Sequence, residues 1–201
     1  AASDVYKRQS KDKTMKKIMF ALCSAMLASA ASAAVYKVDE FHANARFAID
    51  HFNTSTNVGG IYGLTGNLEF DRAKRQGSID IVLPLSKLQT GSDRFTQHLK
   101  SADIFNADKY PEIRFVSTKF NFNGKKLLSV DGNLTMNGKT APVKLKADKF
   151  NCYQSPMLKA EVCGGDFSTT IDRTKWGLDY LVSAGMSKKV NINIQIEAAK
   201  Q

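Results

Sequence analysis

The sequence predicts an all-β fold, an eight-stranded antiparallel barrel with one short amphipathic helix between strands three and four. Three observations carry that expectation. From Ala34 onward, apolar residues recur at every second position in run after run, the period of an extended strand with one buried face. Turn signals separate the runs, and Asn137-Gly138 is the clearest of them, a dipeptide suited to a two-residue hairpin. One stretch alone, TGSDRFTQHLKSADIF at 90–105, switches to helical spacing.

The opening run, HANARFAIDHF at 42–52, places Ala43, Ala45, Phe47, Ile49 and His51 on one parity. Tyr62, Leu64, Gly66, Leu68 and Phe70 give the second run, and Ile79, Ile81, Leu83 and Leu85 the third. In the helix, Phe95, Leu99 and Ala102 share a face, Ser92 stands as the N-cap, and Pro111 bars a longer run. Such a helix is expected to lie over an open end or side of the barrel. Ile113 and Phe115 resume the strand pattern. Leu128, Val130, Gly132, Leu134 and Met136 lead to the Asn137-Gly138 turn, and Val143, Leu145 and Ala147 return from it. Phe167, Thr169 and Ile171 make a seventh run, and Val190, Ile192, Ile194 and Ile196 the last. The pattern suits a two-sheet sandwich as well as a barrel. Closure removes exposed strand edges, and the glycines at 60, 63, 66 and 132 suit the bends of a small barrel, so the barrel is the expectation.

Met15 is followed by two lysines, an apolar core from Ile18 to Ala30, and the small residues Ala31 and Ala33 in an A-x-A pattern. That reads as a secretory signal peptide over 15–33. Its core is too short for a membrane span of about 20 residues. Residues 1–14 read as a non-native or pre-start segment. The domain is then 34–201, 168 residues, enough for one core. Taking away six basic and two acidic residues lowers the formal charge from +10 to +6. A moderate positive balance allows transient contact with an anionic membrane surface. The lysines stand singly or in pairs and no basic helix carries them, so nucleic acid is not an expected partner. Oligomeric state is left open, a dimer included. Cys152 and Cys163 remain as an even pair in an exported chain, and a disulfide is the natural reading. The expected location is periplasmic or secreted.

The three histidines, His42, His51 and His98, are too dispersed for a metal site. His42 and His51 are opposite in parity and about 30 Å apart along an extended strand. No Ser-His-Asp order, nucleophile elbow or paired-carboxylate block is present. His51 is expected to cap one mouth of the bore, and His42 to make a turn contact at the other end.

Several separated blocks resemble the YceI-like family of exported, lipocalin-like polyisoprenoid-binding proteins. They are the His42–His51 strand, GNLEFD at 66–71, HLKSADIFNADKYPEIRF at 98–115, GNLTMNG at 132–138 and IDRTKWGL at 171–178. Phe95-Thr96 stand where the family often carries Arg-Asp, and the cysteine loop is not general to it. The resemblance implies a lipocalin-like barrel whose bore takes a polyisoprenoid chain, a quinone tail or polyprenyl lipid, with no further cofactor and no catalysis. Apolar parity and family blocks together nominate Phe47, Ile49, Tyr62, Leu64, Leu68, Ile81, Leu83, Phe115, Leu134, Leu145, Ile192 and Ile194 as bore-lining ligand contacts. His51, Arg173 and Trp176 are nominated near a mouth. The leading function is a carrier for such a lipid. A hydrolase or isomerase acting on it, with His51 as the proton-transfer group, and an interaction module with a solid barrel both stay open at this point. Alternation shows which side is inside, not whether the inside is full.

Overall fold

The computed structural model describes residues 33–201. The segment read as pre-start and, but for Ala33, the segment read as a signal peptide lie outside the described residues. The period-two runs form strands β1 (Ala34–Val38), β2 (Asn44–His51), β3 (Ser55–Tyr62), β4 (Thr65–Asp71), β5 (Gln76–Pro84), β6 (Leu88–Gln89), β7 (Glu112–Asn123), β8 (Lys126–Met136), β9 (Lys139–Gln154), β10 (Glu161–Asp172) and β11 (Lys189–Lys200). The helical stretch forms α1 (Asp93–Lys100), with the Ser92 side chain accepting from the Phe95 amide. Its Asp93 stands in the first turn and Lys100 in the last, the charge order that complements the helix dipole.

Every pairing is antiparallel, and the sheet closes where β1 joins both β4 and β11. The eleven segments make eight staves. One edge of β11 is shared by β2, at 190–195, and β1, at 198–200, so β1 and β2 are one stave broken by the short turn Glu40–His42. β3 and β4 form a second broken stave, and β5 with β6 a third, interrupted at Leu85–Lys87. The eight-stranded antiparallel barrel is therefore present, with its first three strands kinked.

The kinks change which residues face inward. At Gly63 (φ +69°) the backbone enters the left-handed region, which glycine adopts without strain. Both Gly63 and Leu64 donate their amides to the Ala43 carbonyl, at 2.9 and 3.3 Å, the two-against-one arrangement of a bulge. Parity slips there by one, so Ile61 and Leu64 are both buried while Tyr62 is exposed. A second slip occurs where the β7–β8 register shifts near Phe122: Leu127 and Val130 are buried, and Leu128 faces out.

The two ends of the barrel differ. Hairpins 72–75, 124–125 and 155–160 lie at one end. Just inside it, Phe70 stacks on Phe120 and Phe122 and meets Phe150 edge-on, at centroid distances from 5.7 to 6.3 Å. Tyr36, 1% exposed, donates from its hydroxyl to Glu161 at 2.6 Å beside this cluster. The Cys152–Cys163 disulfide joins register partners on β9 and β10 at the same end, as the sequence led one to expect. These groups form a floor. The opposite end carries the β2–β3 hairpin, α1 and the long segment 173–188 between β10 and β11.

Candidate functional site

The inner faces of the staves do not meet in the middle. They surround a cavity of about 510 Å³, within the range of small-molecule sites. β2 supplies Phe47, Ile49 and His51; β5 supplies Ile81 and Leu83; β7, β8 and β9 supply Phe115, Leu134 and Leu145; β11 supplies Ile192 and Ile194. Leu64 and Arg173 also border it. These sequence nominees are thus brought together around one space.

Three nominees lie off the cavity, each for a physical reason. Tyr62 is 41% exposed because the Gly63 bulge reverses its parity. Leu68 is buried but off the cavity, in register with Tyr36 and two residues from Phe70, although its other register partner, Ile79, borders the cavity. Trp176 is 1% exposed and packed into the main core, where its indole Nε1 donates to the Leu134 carbonyl at 2.8 Å. It supports the wall from outside the cavity.

The mouth holds what periodicity did not nominate. Phe95, His98 and Leu99 of α1 border the cavity, followed by Ile104 and Phe105. Residues 95, 98 and 99 share a helix face, so the helical spacing contained this signal, and α1 lies across the mouth. Tyr180, Leu181 and Met186 complete the rim. They belong to a segment without periodicity, and no strand or helix pattern identifies them. Of the histidines, His51 lies at the rim against Phe52, and His98 meets Tyr180 edge-on at 5.2 Å. His42 lies elsewhere, its Nδ1 2.7 Å from the Asp39 carboxylate in the turn between β1 and β2. The hydrogen bond that His42 donates to the Asp39 carboxylate holds the His42 pKa above its ordinary value. Both ends of that pair are away from the cavity.

Arg173 organises the rim. It opens a short 3-10 turn, Arg173–Trp176, capped by Asp172, whose Oδ1 accepts from the Thr174 amide and hydroxyl at 3.1 and 2.7 Å. The Arg173 side chain is 8% exposed. Its guanidinium donates to three carbonyls: Nε to Ser187 at 2.9 Å, Nη1 to Leu178 at 2.7 Å and Nη2 to Tyr180 at 2.9 Å. One buried cation thereby ties both limbs of the 173–188 segment to the barrel. Burial lowers its pKa from the ordinary arginine value, while the charges of Asp179 and Asp172 work in the opposite direction.

Chemically, the cavity is an apolar chamber with a small polar rim. Among the described residues no group of three His, Cys, Asp or Glu side chains is placed to hold a metal ion. The residues present suit an apolar guest whose polar end stays near the mouth.

Comparison with known proteins agrees with this architecture. Residues 36–198 match the family model described as the YceI-like domain. A UPF0312 protein of Pseudomonas putida strain GB-1 is 34% identical over 185 residues, covering 90% of this chain and 95% of that protein. Among solved structures, the barrel resembles a Campylobacter jejuni YceI protein (TM-score 0.63, 21% identity, 76% of this chain and 90% of that one). It also resembles a domain from Saccharophagus degradans described as polyisoprenoid binding (TM-score 0.59, 11% identity, 83% and 98% coverage). The family model spans nearly the whole described barrel, and on that ground the chain belongs to the YceI-like family.

Proposed function

We propose that this protein is a non-catalytic carrier that binds a polyisoprenoid lipid, a quinone tail or polyprenyl chain, with the tail in the barrel cavity and the head at the α1 end. The observation that carries the reading is the hollow, almost wholly aliphatic and aromatic chamber of about 510 Å³ with one polar rim. Each methylene removed from water contributes about 0.8 kcal/mol, so a branched apolar tail gains affinity without polar contacts. The description of the Saccharophagus degradans domain supports the same ligand class. Export to the periplasm or outside the cell is part of the proposal. It draws on the signal-peptide pattern at 15–33 and on the disulfide, a bond that persists in oxidising compartments.

The test is native mass spectrometry of gently purified protein, followed by solvent extraction and reloading with a defined prenyl compound. Protein that carries no lipid and takes up none after stripping would refute the proposal. Incubation of the loaded protein, with the lipid analysed before and after, separates carriage from turnover; conversion of the lipid that disappears in His51→Ala would assign it an enzymatic role instead.

A further inference from the structure

Formal charge is not spread evenly over the barrel. The closed end is built from the turns 72–75, 124–125 and 155–160 and the tail of β11. Within 71–76, 124–126, 154–161 and 199–201 stand seven lysines and arginines against two carboxylates, Asp71 and Glu161. That is five of the six net positive charges of residues 34–201, and elsewhere the two signs nearly cancel. The turns form one face. Arg75 Nη1 donates to the Gly124 carbonyl at 2.9 Å, and Arg72 Nη1 donates to Glu161 Oε2 at 2.9 Å. Lys159, Glu161 and Lys200 border one surface pocket there. Both carboxylates are already engaged, Asp71 by Lys74 and Glu161 by Tyr36 and Arg72. Lys125, Lys126 and Lys159 are exposed and form no ion pair among the described residues.

The same face carries an apolar tip. Met157 is 90% exposed and Leu158 55%. They stand on a well-tied turn. The buried Ser155 accepts the Leu158 amide on its Oγ at 3.2 Å and the Lys159 amide on its carbonyl at 2.9 Å. Its own amide donates to the Ala160 carbonyl at 2.9 Å, and the Cys152–Cys163 bridge closes the base of the hairpin. A fixed turn that holds two large apolar side chains in water points to a surface that covers them. An anionic bilayer offers both attractions this face can use: an apolar boundary for the tip and acidic head groups for the cations around it. The cations stand on separate turns around a whole end of the barrel, not along a groove, which suits a flat fluid surface and not a bound peptide.

We propose that the closed end is a docking surface for an anionic phospholipid bilayer, with Met157 and Leu158 entering the interface and Lys125, Lys126 and Lys159 meeting acidic head groups. The inference does not depend on what fills the cavity. Because the mouth lies at the opposite end, a docked molecule presents its cavity away from that bilayer.

The experiment uses the protein as purified from expressing cells, its N-terminus read by mass spectrometry. It is sedimented with vesicles of phosphatidylcholine, alone or with roughly one-third phosphatidylglycerol. Partitioning onto the mixed vesicles is expected to be at least about tenfold stronger at low salt, and to fall at least about fivefold near 0.5 M salt. Lys125→Gln/Lys126→Gln/Lys159→Gln is expected to weaken it at least about tenfold. Lys109→Gln/Lys175→Gln/Lys189→Gln removes the same charge at the mouth end and is expected to weaken it less than about threefold. Met157→Ser/Leu158→Ser, with charge unchanged, is expected to weaken it at least about fivefold. Emission from Met157→Trp is expected to shift to the blue on mixed vesicles and not on phosphatidylcholine. All the substituted side chains are exposed, and circular dichroism checks each variant for folding. Absence of adsorption to the mixed vesicles would overturn the proposal, as would equal weakening by the two lysine triples, which reduces adsorption to net charge. Full binding by Met157→Ser/Leu158→Ser, or no shift in Met157→Trp, would overturn the insertion of the tip. Polyglutamate bound as tightly as the mixed vesicles would overturn the proposal in favour of an acidic protein partner.

Discussion

Trp176→Phe separates wall from lining at the position where sequence and structure disagree. The sequence places Trp176 at the mouth as a ligand contact; the structure buries it in the core off the cavity, with its indole N–H on the Leu134 carbonyl. Phenylalanine keeps an aromatic ring and removes that donor. Loss of the hydrogen bond costs about 1 kcal/mol, and loss of part of the buried ring area costs about 1 kcal/mol more. For a 168-residue domain, an unfolding entropy of about 2.1 cal/mol/K per residue converts roughly 2 kcal/mol into a fall of about 6 °C in melting temperature. Thermal unfolding followed by circular dichroism measures that fall, and titration with a prenyl lipid should show a Kd changed by less than threefold. A variant that melts like the wild type but binds lipid ten times more weakly would refute the placement of Trp176 outside the cavity.

Reducing Cys152–Cys163, eleven residues apart in sequence, should remove about 3 kcal/mol and lower the melting temperature by about 8 °C; lipid should stay bound, because the bridge lies at the floor. Ile192→Glu, which sets a carboxylate on the cavity wall opposite Phe47, should weaken prenyl-lipid binding at least a hundredfold in titration, since the tail would bury an unpaired charge. The Tyr36 hydroxyl is pushed up to about 12 by burial, with its hydrogen bond to Glu161 adding to the effect. Its pKa is raised on folding, so its contribution is complete below about pH 10 and is lost as pH rises toward 12. Stability measured by denaturant unfolding across that window should fall more steeply in the wild type than in Tyr36→Phe.

Period-two alternation carried most of the barrel, because a strand with one buried face must alternate. It also placed the bore on β2, β5, β9 and β11, where no bulge interrupts the inward residues it named, and on β8 beyond Leu128. It failed at Tyr62 and Leu128, where single-residue slips at Gly63 and near Phe122 reverse the parity without changing the composition around them. Leu68 shows a second limit. Parity gives its side of the sheet but not what it meets there: its register partner Ile79 borders the cavity, while Leu68 packs between Tyr36 and Phe70 off it. The rim was legible only in part. Phe95 and Leu99 have helical spacing, whereas Tyr180, Leu181 and Met186 are held in place by Arg173 bonds to backbone carbonyls, and any sequence supplies carbonyls.

The stacked phenylalanines give the chamber a blind end. On the proposed reading, a guest leaves by the door through which it came in. In the proposed carrier, loading and delivery are two visits of the same rim to two different hosts, separated by a tumble of the whole molecule.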